Sequence, residues 1–333
     1  MNGLSTEKLN RKKNLLSFIT LLLVIAFTLN LSLVTDPMIF ILFYVFAAAA
    51  SAWLVSAKGA LIALLSSLVG WCAAFLITAD PLHAILSISY VPFSLSIPAV
   101  SKGKITRSAA IGIGTACVTL GAIATLLTVT YLRIGSISLT AIRLAFPSFF
   151  KQASDLLYES FSVSIAGSSV SLIAKSNVVE YLNLIICLLP AVLSAMLTLV
   201  GYIIAWVYRK LAEGTTVADI GRKKWALMPS PVTAVFFLIA LFAVTVFDNV
   251  NVITLTAMNI FIIILPVIFL TGLFTSISPK VTNGIPRPRF LRPLSLVISV
   301  FNGVVPFALL CTCYGIYDSI KEAISKRKPK KQE

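Results

Sequence analysis

The chain has 333 residues, of which 58% are hydrophobic and only 12% are charged. Since soluble domains carry about 25% charged residues, this composition excludes a water-soluble globular enzyme, a disordered chain and a nucleic-acid-binding module. A polytopic membrane protein remains. The formal net charge of +15 predicts basic cytoplasmic loops, where Lys and Arg collect in membrane proteins, and no nucleic-acid partner is expected.

Apolar stretches of bilayer length follow one another along most of the chain. A helix needs about 20 apolar residues to cross the hydrocarbon core. Stretches of this kind lie near residues 15–34, 37–56, 59–79, 82–100, 108–132, 180–206, 231–248, 252–275 and 293–317. The predicted fold class is therefore all-α: a polytopic transmembrane helical bundle of eight to nine hydrophobic segments.

The distribution of Lys and Arg predicts the orientation of the bundle. The tail 1–14 carries a basic cluster between positions 8 and 13, and short cytoplasmic loops are enriched in such residues. With this tail in the cytoplasm, successive crossings place the basic residues of 102–107 and 208–230 on the same side. We therefore expect a multi-pass protein of a bacterial inner membrane with a cytoplasmic N-terminus.

The segment 133–179 falls on the external side in this scheme. Between Leu139 and Phe161 its apolar residues recur at roughly helical spacing, which predicts one or two amphipathic helices at the outer surface. Pro147 is expected to separate them, because proline removes a hydrogen bond from a helix interior. A solvated loop is the alternative interpretation.

The last apolar segment conflicts with the charge rule. A full ninth crossing would place the basic tail 318–333 outside the cell. Asn302-Gly303 and Pro306 interrupt this segment, so a re-entrant or in-plane path would keep the tail inside; irregular backbone is tolerated at membrane depth where protein buries it. Alternatively, the segment 252–275, which contains Pro266, does not cross. The sequence leaves these alternatives open.

Small residues form stripes on two of the predicted helices. Gly59, Ala63 and Gly70 follow one face of the third segment, and Gly114 and Gly121 follow one face of the fifth. Lipid provides no hydrophobic drive for helix pairing, so helices associate where small residues allow their backbones to approach closely. Both stripes are predicted to be helix-packing faces, which could also let a compact bundle enclose a ligand cavity.

Neutral polar residues are the candidates for ligand binding. No Asp, Glu, Lys or Arg lies in the middle of a predicted span, which argues against an ion-driven carrier, because such carriers bind their coupling charge within the membrane. The fourth segment combines Tyr90, Ser94 and Ser96 with two prolines, and broken helices can line a cavity. Asn183, in the sixth segment, either contacts the ligand or links two helices.

Residues that would indicate catalysis or metal binding are scarce. His83 is the sole histidine, and the five cysteines all lie in apolar stretches, where a free cysteine behaves as a small hydrophobic residue. The spacing Cys311-x-Cys313 does not fit a zinc site, and no nucleotide-binding or hydrolase motif occurs. We expect no catalytic residues, no metal, no cofactor and no enzymatic activity.

Basic residues also cluster in the loop 208–230, at Arg222-Lys223-Lys224. Anionic lipid headgroups and topology control account for this charge. A protein partner docking at the cytoplasmic basic loops is the alternative. The expected partners are therefore the lipid bilayer, a small-molecule solute and a cytoplasmic protein.

Several features together resemble a known family. They are the small-residue helices, the Lys102-Gly103-Lys104 turn, the long stretch before segment six, the run Trp225-Ala226-Leu227-Met228-Pro229, and Gly315-Ile316-Tyr317-Asp318 before a basic end. The chain is similar to the YybS-like family of bacterial multi-spanning membrane proteins. The first six spans of that family are similar to the substrate-binding subunits of energy-coupling-factor vitamin transporters. This resemblance implies a solute site between segments four to six and the external stretch.

Two functions follow from these observations. The first is a binding or transport-related module for a vitamin-like small molecule. The second is a non-transporting membrane scaffold or assembly factor for cell-envelope or division machinery. The predicted regions are a basic tail (1–14), a six-span bundle similar to a substrate-binding subunit (15–207, including the external region 133–179), a basic loop (208–230), C-terminal membrane segments (231–317) and a basic tail (318–333).

Overall fold

A computed structural model describes residues 2–34, 36–79, 81–160, 162–165, 168–171, 178–213, 231–247, 251–277 and 291–327. The predicted basic cluster at 222–224 and the last six residues, 328–333, lie outside the described residues. The described chain is almost entirely helical, which confirms the all-α polytopic fold.

The elements follow one another in simple order. The first seven helices are α1 (Asn2–Leu33), α2 (Pro37–Lys58), α3 (Ala60–Thr78), α4 (Pro81–Ile88), α5 (Val91–Ser96), α6 (Pro98–Ser101) and α7 (Arg107–Ile134). After them come α8 (Leu139–Ala145), α9 (Pro147–Ser160), β1 (Ser162–Ile165), β2 (Ser168–Ser171), α10 (Val178–Glu213), α11 (Pro231–Val246), α12 (Val252–Ile277), α13 (Leu291–Phe301) and α14 (Val304–Arg327).

Within these residues, six helices are long and apolar enough to cross a membrane: α1, α2, α3, α7, α10 and α12. The other three predicted segments differ from a bilayer-length helix for local reasons. The fourth divides into α4, α5 and α6, because Pro92 lies in the first turn of α5 and Pro98 begins α6. The seventh, α11, has 16 residues, and the ninth divides into α13 and α14 at Asn302-Gly303.

The segment 133–179 contains the two predicted helices, α8 and α9. Ser138 caps α8 by accepting a hydrogen bond from the Ala141 backbone N–H at 3.0 Å, and Pro147 begins α9, as the sequence predicts. The short antiparallel hairpin of β1 and β2, which pairs Ser162 with Ser171, was not predicted. Serines alternate with Val and Ile in β1 but not in β2, and four residues a strand are too short a pattern to separate from a loop.

The chain forms two compact units, each built from several stretches. Unit 1 comprises Met1–Val118, Met196–Val235 and Ile264–Glu333, and unit 2 comprises Thr119–Ala195 and Phe236–Ile263. Small and aromatic side chains together form the core of unit 1, with α2 contributing alanines and Tyr44 and α5 contributing Phe93. In unit 2, α8 and α9 pack on the first turns of α10 through Ile142, Phe150 and Leu182.

One predicted small-residue face lies at the contact of α3 with α1. A Cβ placed on Gly70 would lie 2.7 Å from Cβ of Thr28 and 3.1 Å from the Ile25 carbonyl oxygen, so the two backbones meet at a glycine. Ala63 is buried two turns earlier. Gly59 takes a different place, between α2 and α3 with φ +98, a conformation that favours glycine.

The fifth-segment glycines also lie in two environments. A Cβ on Gly114 would lie 2.8 Å from Cε1 of the Phe93 ring, and a Cβ on Gly201 of α10 would lie equally close to the same atom. Phe93 therefore fills the space that two glycines leave, and its side chain has no exposed surface. Gly121 has no described atom within 4 Å of a Cβ placed on it.

Helices α13 and α14 fold back on each other. Gly303, at φ +111, breaks the helix, and the Ser295 Oγ lies 2.8 Å from the Tyr314 hydroxyl oxygen. In a continuous helix residues 19 positions apart would be separated by about 28 Å. The two helices are therefore antiparallel, and the expected interruption at Asn302-Gly303 is a hairpin turn.

Candidate functional site

Tyr90, the first predicted ligand-binding residue, is an internal link of unit 1. It stands at the junction of α4 and α5, and its hydroxyl oxygen lies 2.7 Å from the Thr28 Oγ1 and 2.9 Å from the Ser67 Oγ. The side chain has no exposed surface. Tyr44 packs its ring edge-on against Tyr90 at 6.3 Å and donates a hydrogen bond to the Ser89 carbonyl. Tyr90 thus joins α1 and α3 to the break in the fourth segment.

Ser94 and Ser96 are also buried, and their hydroxyls bond to their own helix. The Ser94 Oγ donates to the Val91 carbonyl at 2.8 Å, and the Ser96 Oγ donates to the Phe93 carbonyl at 3.4 Å. A cavity wall would expose its side chains, whereas Ser94 is 1% exposed. In this structure the three predicted residues of the fourth segment are packed core with their hydrogen bonds made internally.

We expect Tyr90→Phe to lower stability by about 1 kcal/mol, since each hydrogen bond between membrane helices contributes about 0.6 kcal/mol and the ring remains in place. Thermal unfolding in mild detergent measures this loss. Tyr131→Phe is the matched control, because Tyr131 is exposed and should behave like wild type. Unchanged stability of Tyr90→Phe together with loss of a co-purifying solute would instead assign the hydroxyl to a ligand.

Two other polar clusters of unit 1 were not predicted as functional residues. The Tyr208 hydroxyl oxygen lies 2.8 Å from the Ser56 Oγ and 2.9 Å from the Ser101 Oγ. Arg107 donates from Nη2 to the Tyr202 carbonyl at 3.1 Å, and its guanidinium lies 5.2 Å from the centre of the Tyr202 ring. The sequence shows both tyrosines near the end of a predicted span. Their partners are about 100 or more positions away, so residue spacing could not predict these contacts.

In unit 2, Arg133 positions the chain where α7 ends. Its Nη1 donates to the Ala145 carbonyl at 2.7 Å, and its guanidinium lies 5.4 Å from the centre of the Phe146 ring. The carbonyl at the end of α8 therefore has a cationic donor, which suits the negative end of a helix. This contact holds α8 beside α7 and against the cluster of Ile142 and Leu182.

Polar contacts also link α10 to its neighbouring helices in unit 2. The Thr119 Oγ1 lies 3.0 Å from the Ser194 Oγ, which joins α7 to α10. The Asn259 Nδ2 donates to the Cys187 carbonyl at 3.3 Å and to the Leu255 carbonyl at 2.9 Å, which joins α12 to α10. Asn259 is thus a helix link, the same role that was weighed for Asn183.

Asn183 differs from these residues. Its Oδ1 is buried, and so is the Nε of Arg143, and neither atom has a hydrogen-bond partner in the described part of the chain. A buried polar atom without a partner costs about 1–3 kcal/mol and calls for an explanation such as a water molecule or a ligand. Ile142 and Leu182, which directly precede Arg143 and Asn183 in the chain, are both members of one apolar cluster.

The four predicted ligand-binding residues therefore occur in two environments. Tyr90, Ser94 and Ser96 belong to the core of unit 1, and Asn183 belongs to unit 2. No set of three His, Cys, Asp or Glu residues that could hold a metal ion occurs among the described residues. Arg143 was not predicted as a functional residue, because the burial of its Nε depends on α8 folding onto α10.

A comparison with protein families covers nearly all of these elements. Residues 21–319 match the family described as predicted membrane protein, DUF2232. The chain belongs to this family. No curated protein and no solved structure matches it.

As a DUF2232 protein with six helices of membrane-spanning length, the molecule is an integral membrane protein. Large apolar side chains cover the outer faces of these helices, with Leu76 82% exposed and Leu61 71% exposed on α3. Exposed apolar surface on this scale in a polytopic protein is the surface that contacts lipid tails. The lipid bilayer is therefore a partner of this DUF2232 protein.

Proposed function

We propose that this DUF2232 protein binds a small, vitamin-like molecule in unit 2, beside the cluster formed by α8, α9 and the first turns of α10. The observation that supports this most is the pair of buried polar atoms without partners, Asn183 Oδ1 and Arg143 Nε. Most buried polar groups in folded proteins are paired. A ligand that pairs with both atoms would remove the desolvation penalty of each.

The chemistry of the pair limits the solute. The Asn183 Oδ1 is an acceptor and requires an N–H or O–H donor on the ligand. The Arg143 Nε is a cationic donor and favours a carbonyl or acidic group. The adjoining cluster contains Phe146 and Phe150, which favours an apolar or aromatic ring on the same molecule. These requirements suit a small amphipathic solute.

The resemblance to YybS-like proteins and to energy-coupling-factor substrate-binding subunits supports the same location. It implies a solute site among segments four to six and the external stretch, and α8, α9 and α10 belong to these regions. Binding or delivery of the solute, without catalysis, is the role that follows.

Native mass spectrometry of the gently purified protein tests this proposal. We expect wild type to retain a small molecule, and Asn183→Leu and Arg143→Gln to lose it. Removal of an unpaired buried acceptor relieves a desolvation penalty. Asn183→Leu should therefore be at least as stable as wild type without ligand, so that loss of the molecule is not loss of the fold.

Asn30→Leu is the matched control, since Asn30 is exposed and its Nδ2 bonds to the Ala26 carbonyl of its own helix. It should retain the molecule. Wild type that carries only phospholipid, in the same amount as Asn183→Leu, would contradict the proposal.

A non-transporting scaffold is the second candidate function. Close packing around Tyr90 and Phe93, both without exposed surface, favours it, because a transporter core usually surrounds a pathway near the middle of the membrane. A scaffold should co-purify with stable protein partners in mild detergent. Retention of partners without a small molecule would favour the scaffold over the solute-binding module.

A further inference from the structure

The α13–α14 hairpin has a defined direction relative to α12, with which it packs inside unit 1. The Phe269 ring lies 6.1 Å from the Phe307 ring, and further along both helices the Thr275 Oγ1 donates to the Asp318 Oδ2 at 2.7 Å. The contacting pairs advance in the same direction on both helices. Helices α12 and α14 are therefore parallel, and their C-terminal ends lie at the same side.

Helix α13 returns the chain to that side as well. Because α13 is antiparallel to α14 and Ser295 lies opposite Tyr314, its first residue, Leu291, is level with the part of α14 around Asp318, which contacts the last turn of α12 at Thr275. The 11 residues of α13 rise about 16 Å, which is roughly half of the 30 Å hydrocarbon core. The contacts of α14 lie in the second half of α12, from Ile268 to Thr275. The hairpin thus reaches only about half the depth that α12 spans.

The tip of the hairpin is apolar and uncovered. Phe301 is 87% exposed, Val304 is 82% exposed and Val305 is 69% exposed. Water would make this exposure unfavourable, whereas acyl chains would accept these side chains without penalty.

Both ends of the hairpin, in contrast to its apolar tip, carry basic residues. Arg292 lies in the first turn of α13, and Lys321, Lys326 and Arg327 lie in the last turns of α14. The Lys321 ammonium lies 5.5 Å from the centre of the Tyr317 ring, a cation–π contact. Basic residues beside a membrane segment attract anionic headgroups of the cytoplasmic leaflet.

We propose that the α13–α14 hairpin enters a single leaflet from the cytoplasmic side as a re-entrant element. Its apolar tip lies among the acyl chains, and both of its basic ends bind anionic headgroups of the same surface. The partner of this surface is one leaflet of an anionic membrane. In this arrangement α12 crosses the membrane, the last segment does not, and the basic C-terminal residues remain on the cytoplasmic side.

The sidedness of the two ends tests the proposal in the full chain. Leu291→Cys and Ser325→Cys keep every basic residue and mark the first residue of α13 and the last turn of α14. A membrane-impermeant thiol reagent, applied to inverted or to right-side-out vesicles, should label both cysteines from the cytoplasmic face and neither from the other. Ser136→Cys, beyond the far end of α7, is the opposite-face control, and wild type gives the background of native cysteines. Labelling of Leu291→Cys and Ser325→Cys from opposite faces would overturn the proposal.

The depth of the tip is the second measurement. Phe301→Trp and Val304→Trp, in vesicles of phosphatidylethanolamine and phosphatidylglycerol, report depth through quenching by lipids brominated at different acyl positions, after subtraction of wild-type emission. We expect stronger quenching by bromine near the chain ends than near the headgroup. Quenching only near the headgroup would place the hairpin in the membrane plane and would overturn insertion, even with both ends on one side.

Discussion

Gly272→Ala is expected to lower the stability of the protein by about 3 kcal/mol, the upper part of the range for overpacked cores. A Cβ on Gly272 would collide with the Cys311 carbonyl oxygen of α14, and a Cβ on Gly315 would collide with the Ile268 carbonyl oxygen of α12. Backbone atoms cannot rotate away as a side chain can, so the two helices must separate. Thermal unfolding in mild detergent measures the loss.

Gly112→Ala is the matched control, because no described atom lies within 4 Å of a Cβ placed there. The stability of Gly112→Ala should equal that of wild type or exceed it slightly, since alanine has a higher helix propensity than glycine. The double variant Gly272→Ala/Gly315→Ala should lose less stability than the two single variants lose in sum. The first substitution already separates the two helices, so the second meets a weaker clash. Equal stability of Gly272→Ala and Gly112→Ala would show that α12 and α14 do not cross at these glycines.

Phe93→Ala is expected to lower stability by about 3–5 kcal/mol, the range for removing a fully buried phenylalanine ring. The ring fills the gap between Gly114 and Gly201, and neither glycine has a side chain that could move into the space. The loss is measured as a lowered unfolding temperature in the same detergent.

Phe242→Ala serves as the control for this substitution, because Phe242 is 66% exposed on the apolar outer face of α11. Phe242→Ala should lower stability by less than about 1 kcal/mol, as for a surface substitution. If both alanine variants unfolded at the same temperature, α5 would not belong to the packed core.

Hydropathy predicted the long helices well, because bilayer thickness imposes one length on every crossing. The fifth segment, predicted at 108–132, is α7 from Arg107 to Ile134, and the second, predicted at 37–56, is α2 from Pro37 to Lys58. The same signal could not describe the fourth segment. Its mean hydropathy is that of a span, but Pro92 and Pro98 divide it into short helices.

Polar side chains at membrane depth were harder to interpret than the helices. Tyr90 was predicted to line a ligand cavity, yet its hydroxyl partners Thr28 and Ser67 lie 62 and 23 positions away. A sequence shows that a side chain must find a hydrogen-bond partner, but folding decides whether that partner is protein or ligand. The buried Asn183 Oδ1 and Arg143 Nε have no hydrogen-bond partner in the described part of the chain, and for this reason we propose the ligand site beside them.

Small residues predicted some of the close helix contacts but not all of them. Gly70 and Gly114 were singled out from stripes spaced by three and four, and both lie at close contacts. Cys311, Gly315 and Ser319 also recur every four residues, and Gly315 lies at one of the closest backbone approaches described. The interruption at Asn302-Gly303 hides this stripe, because a helical face cannot be followed along a segment whose helix break is not yet placed.

The sequence by itself determined that this is a membrane protein, the length of most of its helices, and which chain segments carry the basic charge. These properties follow from composition and local order, since the bilayer acts on each segment separately. Only the tertiary structure decided that α13 and α14 form a hairpin and that Tyr90 bonds within the core. Both depend on contacts between distant residues, such as Ser295 with Tyr314 and Thr28 with Tyr90, which local order does not encode.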